Sequence, residues 1–414
     1  MRQLTFITIA LCMALNAWAQ HPSCDGMRYL SPIFPTLNTT TGVQFGSNTT
    51  IGGNAIDLKM DIYEPAGDTA VMRPLVILAF GGSFVSGNRQ EMKDLCEHYA
   101  QRGFVAATID YRLYDGWFIP LPDSVDMITV VIQAVSDMKA AIRYFREDAA
   151  TVNNYKIDPN FIVVGGASAG GILASHVAYV DSTDNLDPIE LNQINNSGGF
   201  QGNSSSNTQY SSAVQGVLSF SGALHYLHYM SANEPPLFAA HDDGDNVVPY
   251  DFGSATFFGF IPIVSMAGSA SMHAQANALG IYSDFVSVPG SGHVSYFQGN
   301  STWRDTVLAA SDEFLNTLLC PNSVMVEHIP TRSIDAQFYP NPSDRAMTLE
   351  LAEVPADYTI AVYDNMGRVV LQKEALTEHY YTLNHESVAS GVYYAVVRFE
   401  DATIAPIQTK VIFR

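Results

Sequence analysis

The sequence predicts an α/β fold, in which helices cover both faces of a mostly parallel sheet, followed by a small β-sandwich. Three observations lead to this prediction. Runs rich in β-branched residues alternate with helical patterns through most of the chain. A glycine-rich turn joins one of these strands to the helix after it. From about residue 335, aromatic and β-branched strands separated by turn residues replace the alternation, which is typical of a sandwich.

Hydrophobic periodicity predicts the elements of the larger part. Continuous apolar runs indicate buried parallel strands, and an apolar residue every three or four positions indicates a helix. The sequence predicts strands at 58–65, 73–80, 104–112, 162–164, 214–220, 236–240 and 283–288. It predicts helices at about 88–102, 125–148, 269–279 and 304–319, and one that begins near residue 172.

Two segments interrupt this rhythm. Residues 181–213 are rich in Asp, Asn, Gly and Ser, and we expect a surface insertion that either covers the site or is merely mobile. Residues 251–268 form an apolar segment broken by glycines, to which the sequence assigns no element. Near the amino terminus, residues 46–53 resemble a hairpin.

The carboxyl-terminal part is predicted to be a separate domain. The polar stretch 323–334 is the expected linker between a domain at 20–322 and a β-sandwich at 335–414. Within the sandwich, the sequence predicts strands at 358–363, 368–371, 391–398 and 409–414.

Charge and composition limit the partners of the protein. The 414-residue chain has 20 Lys and Arg against 41 Asp and Glu, which argues against nucleic acid or an anionic membrane. Residues 1–19 combine one positive charge, an apolar core and an A-x-A end, so we expect a signal peptide cut after Ala19. No later stretch has the length and apolarity of a membrane span. The sequence therefore predicts an exported protein.

Three cysteines remain after this cut, at Cys24, Cys96 and Cys320. In an oxidising compartment they allow one disulfide and leave one thiol free, and all three pairings stay open. None of them neighbours a His and Asp arrangement of the kind that activates a catalytic thiol.

Ser168 is the candidate nucleophile. It is the centre of Gly166–Gly170, which fits G-x-S-x-G between a buried strand and a helix. A sharp turn there puts the serine at positive φ, and small neighbours avoid a collision with the strand and the helix. The alternative is a glycine-rich turn with an ordinary serine. The flanking strand and helix, and two partners downstream, favour the nucleophile.

A serine hydroxyl becomes nucleophilic when a base takes its proton and a carboxylate orients that base. Asp245 follows a predicted strand and precedes Asn-Val-Val-Pro, which favours it over Asp242 and Asp243 as the carboxylate. His293 lies on a glycine-rich loop after the next strand, and none of the ten other histidines has a comparable position. The order serine, aspartate, histidine is that of the α/β-hydrolase fold.

Acyl transfer also requires backbone N–H groups aimed at the developing oxyanion. Ala169, directly after the nucleophile, is one expected donor. Gly82 and Ser83, on the loop after the strand 73–80, are the others. The sequence predicts no cofactor and no metal ligand for this chemistry.

Residues 57–320 resemble secreted carboxylesterases of the α/β-hydrolase superfamily, near the hormone-sensitive-lipase-like and type-B esterase groups. The matching pieces are Phe80–Phe84, Asp110–Leu113, Gly166–Gly170, Asp245 before Asn-Val-Val-Pro, and Gly292–His293. The resemblance implies a serine carboxylic-ester hydrolase that works through a triad and an acyl-enzyme. Phe80 stands where these families usually have a histidine. Asp110 and Arg112 match positions that have a structural role in these families, and we assign them no role in catalysis.

Residues 335–414 resemble the C-terminal sorting domain of the Bacteroidetes type IX secretion system. The motifs that carry the resemblance are Tyr339–Pro342, Val362–Arg368, Ala389–Tyr394 and Lys410–Val411. The resemblance implies that the type IX machinery is a partner. It also implies that the protein is either released or held at the cell surface.

Two other functions and the identity of the ester stay open at this point. A prolyl-oligopeptidase-like serine peptidase has the same residues in the same order, and a binding or adhesion protein of the esterase fold would use no triad. The substrate is a small-molecule or polymer-linked ester, whether lipid, aryl or carbohydrate-linked. Six apolar residues lie on segments that either wall an acyl or aryl pocket or, as is more common for such residues, simply pack: Trp117, Phe118, Phe257, Phe258, Phe260 and Ile261.

Overall fold

The computed structural model describes residues 24–117, 119, 121–257, 261–299, 301–320, 334–354, 357–363, 369–384, 389–399, 404 and 407–414. The predicted signal peptide lies outside these residues, as do Phe118, Phe258, Phe260 and all of the predicted linker except Ile334. The chain divides into two compact units, Met1–Pro321 and Asn322–Arg414.

The strands of the larger unit are, in chain order, β1 (Leu37–Thr49), β2 (Ala55–Pro65), β3 (Arg73–Ala79), β4 (Val105–Ile109), β5 (Ile157–Ala167), β6 (Gly216–Phe220), β7 (Ala223–Leu224), β8 (Leu237–Asp242), β9 (Phe252–Phe257), β10 (Ile261–Gly268) and β11 (Ser283–Val288). Its helices are α1 (Lys93–Ala100), α2 (Ser124–Ala150), α3 (Ala169–Tyr179), α4 (Pro188–Asn196), α5 (Ser269–Ala278) and α6 (Arg304–Leu319).

Eight of these strands form one sheet with the order β1-β2-β4-β3-β5-β6-β8-β11. Strand β2 is antiparallel to both of its neighbours, and all the pairs from β4 to β11 are parallel. Every residue of β3, β4, β6 and β8 is buried, so the sheet is covered on both faces. The predicted mostly parallel sheet is confirmed, and continuous apolar runs are the reason that it could be predicted.

The insertion at residues 181–213 contains a helix that we did not expect. Helix α4 begins after Asp187, whose side chain accepts the N–H of Ile189. Glu190 completes a capping box by accepting the N–H of Asp187, and Pro188 is the first residue of the helix. Glu190 and Ile194 are buried, and the helix contacts α2. The starting signal was present in the sequence, but the polar composition of the segment concealed it.

The apolar segment 251–268 is a β-hairpin. Strands β9 and β10 pair antiparallel, and β10 also pairs with the short strand β7 in a separate three-stranded sheet. Helix α5 begins directly after β10, at Ser269.

A disulfide joins Cys24 to Cys320, and Cys96 is free and buried on α1. Burial raises the pKa of the Cys96 thiol well above its ordinary value. The structure thus selects one of the three pairings that the sequence left open, and it leaves the third thiol inert.

We expect the double variant Cys24→Ser/Cys320→Ser to lose about 2–5 kcal/mol of unfolding free energy, because the bond closes a loop that spans nearly the whole unit. Specific activity should persist, since neither cysteine is among the predicted site residues Ser168, Asp245 and His293. Urea unfolding of both proteins measures the loss. Equal midpoints would show that the bond adds no stability.

The smaller unit consists of two antiparallel sheets. Its strands are β12 (Ala336–Tyr339), β13 (Ala346–Leu351), β14 (Tyr358–Tyr363), β15 (Val369–Leu376), β16 (Tyr380–Asn384), β17 (Gly391–Phe399) and β18 (Ile407–Phe413). The sheets have the orders β12-β13-β16 and β15-β14-β17-β18. Leu349 and Leu383 from one sheet share a core with Ile360 and Val397 from the other, so the predicted sandwich is confirmed. Within the described part of the chain, no helix is long and apolar enough to cross a membrane.

Candidate active site

Four loops that carry the predicted site residues follow parallel strands of the large sheet. Gly82 follows β3, Ser168 follows β5, Asp245 follows β8 and His293 follows β11. Because β3, β5, β6, β8 and β11 run in the same direction, these loops leave the sheet at one edge. The carboxyl edge of such a sheet is where α/β proteins usually hold their ligands.

Ser168 occupies the sharp turn between β5 and α3. Its backbone has φ 55° and ψ −119°, and its N–H donates to the carbonyl of Phe220 at 2.8 Å. A Cβ atom on Gly170 would lie 2.0 Å from the carbonyl oxygen of Ala79, so the helix can approach β3 only with glycine there. The small residues of the motif therefore fix the position of the serine.

His293 lies between Ser168 and Asp245. Its Nε2 is 2.7 Å from Ser168 Oγ, and its Nδ1 is 2.7 Å from Asp245 Oδ2. In the neutral imidazole, Nδ1–H donates to the carboxylate, which leaves Nε2 to accept the serine hydroxyl. The structure brings together the three residues that the sequence singled out, in an arrangement that can move a proton from the hydroxyl to the ring.

The side chain of Asp245 is fully buried and held by four groups. Oδ1 accepts the N–H groups of Val247 at 2.8 Å and Val248 at 3.2 Å. Oδ2 faces His293 and also the Nε2 of His241, at 3.3 Å. Burial raises the pKa of Asp245, but the hydrogen bonds from His241 and His293 outweigh it and lower the pKa to about 2.

His241 is a contact that the sequence did not reveal. It is the second-last residue of β8 and fully buried, and its Nδ1 is 2.8 Å from Ser269 Oγ. Its only sequence signal was its place four residues before Asp245, on a strand that reads as apolar.

The two competing aspartates have other partners. Asp242 accepts the N–H of Ser295 at 3.0 Å and also the hydroxyl of that serine. Asp243 accepts the N–H of Gly290 at 2.9 Å. Both carboxylates thus fix the loop on either side of His293, and Asp245 alone of the three is hydrogen-bonded to the imidazole.

The loop after β3 forms a tight turn beside the serine. The N–H groups of Val85 and Ser86 donate to the carbonyl of Gly82, which has φ 108°. A Cβ atom on Gly82 would lie 2.1 Å from the carbonyl oxygen of Ser86, so this turn requires glycine. Ser83 and Ala169 line the same cavity as Ser168, whereas Gly82 does not. Ala169 is the first residue of α3, where a backbone N–H has no acceptor within the helix.

Phe80, which stands where related families have a histidine, packs into the core. Its ring stacks on Tyr111 with centroids 4.3 Å apart, and the Tyr111 hydroxyl donates to the Phe80 carbonyl at 2.8 Å. Tyr111 therefore supports this loop. Arg112 forms a buried ion pair with Asp137, and Asp110 pairs with Arg89, which is consistent with structural positions for both.

An apolar cavity opens beside Ser168. Helix α2 contributes Met127 and Val131, and the β9–β10 hairpin contributes Ala255 and Val264. Of the residues considered as pocket walls, Trp117, Phe257 and Ile261 do not line it. Trp117 is 86 % exposed, whereas Phe257 and Ile261 pack with the hydrophobic core, which was the alternative for them. In the residues that the structure describes, no three His, Cys, Asp or Glu side chains are grouped to hold a metal ion.

Two family models match the chain. Residues 60–228 match BD-FAE, and residues 337–413 match the Secretion system C-terminal sorting domain. These matches confirm an α/β-hydrolase domain of the esterase type followed by a sorting domain. The match to the sorting domain indicates type IX secretion to the cell surface or outside the cell.

Individual proteins are similar at low identity. The chain is 24% identical over 226 residues to "Probable carboxylic ester hydrolase LipM" of Mycobacterium tuberculosis, covering 46% of each chain. It is 28% identical over 159 residues to "Quorum-quenching protein AidA" of Acinetobacter baumannii, covering 38% of this chain and 44% of that one. The matched region thus spans less than half of each relative. A thermophilic esterase from Thermogutta terrifontis, 22% identical with a TM-score of 0.50 over 72% of this chain and 98% of that chain, shows the same fold.

Proposed function

We propose that this esterase-type α/β-hydrolase, carried by a chain with a secretion sorting domain, hydrolyses carboxylic esters through Ser168, His293 and Asp245. The observation that carries the proposal is the hydrogen-bonded series in which His293 contacts both partners at 2.7 Å. This series also favours catalysis over the alternative of an esterase fold that only binds.

In the proposed mechanism, Ser168 Oγ attacks the ester carbonyl while His293 Nε2 takes its proton. Backbone N–H groups of Ser83 and Ala169, both of which line the cavity, stabilise the oxyanion, and that of Gly82, the residue before Ser83, is the third proposed donor. The imidazolium, stabilised by Asp245, then gives its proton to the leaving alkoxide, and an acyl-enzyme remains. Water then attacks the acyl-enzyme while His293 Nε2 takes a proton from it. The imidazolium gives this proton to Ser168 Oγ, which releases the acid and restores the serine.

A panel of p-nitrophenyl esters with acetyl, butyryl and octanoyl groups tests the proposal. We expect the purified protein to hydrolyse them, because the cavity beside Ser168 is lined mainly by apolar side chains. A p-nitroanilide peptide is the control for the peptidase alternative and should react far more slowly. The proposal would fail if no ester of the panel were hydrolysed.

Export is proposed to use both ends of the chain. Residues 1–19 act as a signal peptide cut after Ala19, and the sorting domain directs the second step to the surface or outside. A mature amino terminus at Gln20, read by sequencing of the exported protein, supports this route. An exported protein that retains Met1 would contradict it.

We expect a chain ending at residue 325 to keep its specific activity and melting temperature. The two units have separate hydrophobic cores, and domains with their own cores usually fold independently. In the native host, the same truncation should leave the protein in the periplasm. A large fall in both activity and melting temperature would show that the tail is part of the working enzyme.

A further inference from the structure

The cavity beside Ser168 extends along one face of α3. Ser168, Ile172 and His176 are four residues apart, so they lie above one another on the same face, and all three line the cavity. With a rise of 1.5 Å per residue, eight residues span about 12 Å. The end of the cavity at His176 therefore lies on the order of 10 Å from the nucleophile.

This far end is polar, unlike the walls. His176, Glu190 and His225 line it, and all three are buried. Glu190 Oε1 is 2.6 Å from His225 Nδ1, and Oε2 accepts the hydroxyl of Tyr229. Burial raises the pKa of Glu190, but the hydrogen bonds from His225 and Tyr229 outweigh it and lower the pKa below its ordinary value. Glu190 is therefore a carboxylate with both oxygens occupied.

Both ring nitrogens of His176 also have hydrogen-bond partners within the protein. Its Nδ1 is 2.8 Å from the Ile172 carbonyl, and its Nε2 is 3.3 Å from the backbone N of His225. Since Nε2 accepts the His225 N–H, the ring is neutral, and burial lowers the pKa of His176 to about 4. His176 can offer nothing to a ligand.

His225 differs from its neighbours in this respect. The residue is only 9% exposed, and its Nδ1 is committed to Glu190. Its Nε2 makes no hydrogen bond with any residue that the structure describes, although the side chain lines the cavity. Since this nitrogen has no partner among the described residues and the side chain lines the cavity, it is suited to a polar atom of a ligand.

Building on the proposed function, we propose that His225 recognises a neutral hydroxyl at the far end of the group that occupies the cavity. The preferred substrates are esters whose apolar acyl or alcohol part ends in a hydroxyl roughly 10 Å from the reacting carbonyl.

A hydroxyl fits this position better than a charged group. It can donate to Nε2 of the neutral ring, and it can accept from Nε2–H if the ring is protonated. A carboxylate would lie beside the negative charge of Glu190. An ammonium would have to leave water for a mainly apolar cavity in which both Glu190 oxygens already accept hydrogen bonds.

Two matched pairs of esters test the proposal. A chain of eight carbons spans about 10 Å at roughly 1.2 Å per bond. Ethyl 8-hydroxyoctanoate is compared with ethyl octanoate, and 8-hydroxyoctyl acetate with octyl acetate, since either side of the ester can enter the cavity. The readout is the ratio of kcat/KM with and without the hydroxyl. We expect a preference of roughly tenfold or more for the hydroxyl in one pair, because a site with a buried partner rejects the analogue that lacks it.

Variants connect this ratio to His225. His225→Phe should bring the ratio to one or below, whereas His225→Gln, whose amide both donates and accepts, should keep part of the preference. The matched control is His228→Phe, because His228 is exposed and stacks on the same Tyr226 ring without lining the cavity. That control should leave the ratio unchanged.

The outcomes separate the two proposals. If the ratio is near one for both pairs while simple esters are hydrolysed, the inference is overturned and the proposed function stands. A ratio that survives in both His225 variants also overturns the inference. If none of the esters is hydrolysed, the proposed function is contradicted and the inference with it.

Discussion

Ser168→Ala is expected to lower kcat/KM for p-nitrophenyl butyrate by roughly 10⁴–10⁶-fold, the scale on which loss of a triad nucleophile acts. Without Oγ there is no atom to form the acyl-enzyme, and His293 has no proton to take. The melting temperature should hardly change, because the side chain makes one hydrogen bond and alanine keeps the turn small. Steady-state kinetics with matched melting curves measure both quantities.

Ser175→Ala is the control for this variant. Ser175 lies on α3, the helix that begins directly after Ser168, and it is buried. Its hydroxyl donates to the Gly171 carbonyl at 2.9 Å. The change should alter kcat/KM by less than about tenfold, as is usual away from the reacting atoms. Activity of Ser168→Ala above about a tenth of the original would remove the serine from the mechanism.

Asp245→Asn is expected to lower kcat by roughly 10³–10⁴-fold, as when a triad carboxylate becomes an amide. Two backbone N–H groups donate to Oδ1, so the amide oxygen of asparagine would stay at that position. The NH₂ group would then occupy the place of Oδ2 and donate to His293 Nδ1. This would force the proton of the ring onto Nε2, which could no longer accept the Ser168 proton.

The neighbouring aspartates provide the controls. Asp243→Asn keeps an acceptor for Gly290, and Asp242→Asn keeps one for the N–H of Ser295, so each should lose less than about tenfold. If either lost more than Asp245→Asn, the carboxylate of the mechanism would lie upstream.

The loss of kcat in Asp245→Asn also has an expected pH dependence. Because the pKa of Asp245 is about 2 in the folded protein and 3.8 ordinarily, the carboxylate is charged throughout the range above pH 4. The deficit should therefore persist at every pH above 4. Because folding lowers the pKa of Asp245, the charged carboxylate stabilises the folded protein above about pH 4, and this contribution is lost as the pH falls towards 2.

The sheet and the positions of Ser168, Asp245 and His293 could be predicted because their signals are local. A strand such as β3 is continuously apolar from Leu75 to Ala79, and G-x-S-x-G places a serine between a strand and a helix within a few residues. Asp245 and His293, on the loops after β8 and β11, could then be placed near Ser168 because parallel strands end at the same edge of a sheet.

The surroundings of the site could not be predicted, because they depend on contacts between distant residues. Glu190 meets His225 and Tyr229 across 35 and 39 positions, and Cys24 meets Cys320 across 296. No period or motif encodes such pairs. The residues that wall the cavity could not be identified for the same reason, since aromatic content does not show which way a side chain faces. Helix α4 is different, because its capping box was visible and the polar composition outweighed it.

The most direct test of the proposed mechanism is covalent labelling of the intact protein with an active-serine phosphonate, followed by peptide mapping by mass spectrometry. The account predicts one adduct per chain, located on Ser168, with loss of ester hydrolysis in proportion to labelling. Labelling should be absent in Ser168→Ala and much slower in Asp245→Asn. A stoichiometric adduct on another residue, or full hydrolysis by a protein that takes up no label, would contradict the account.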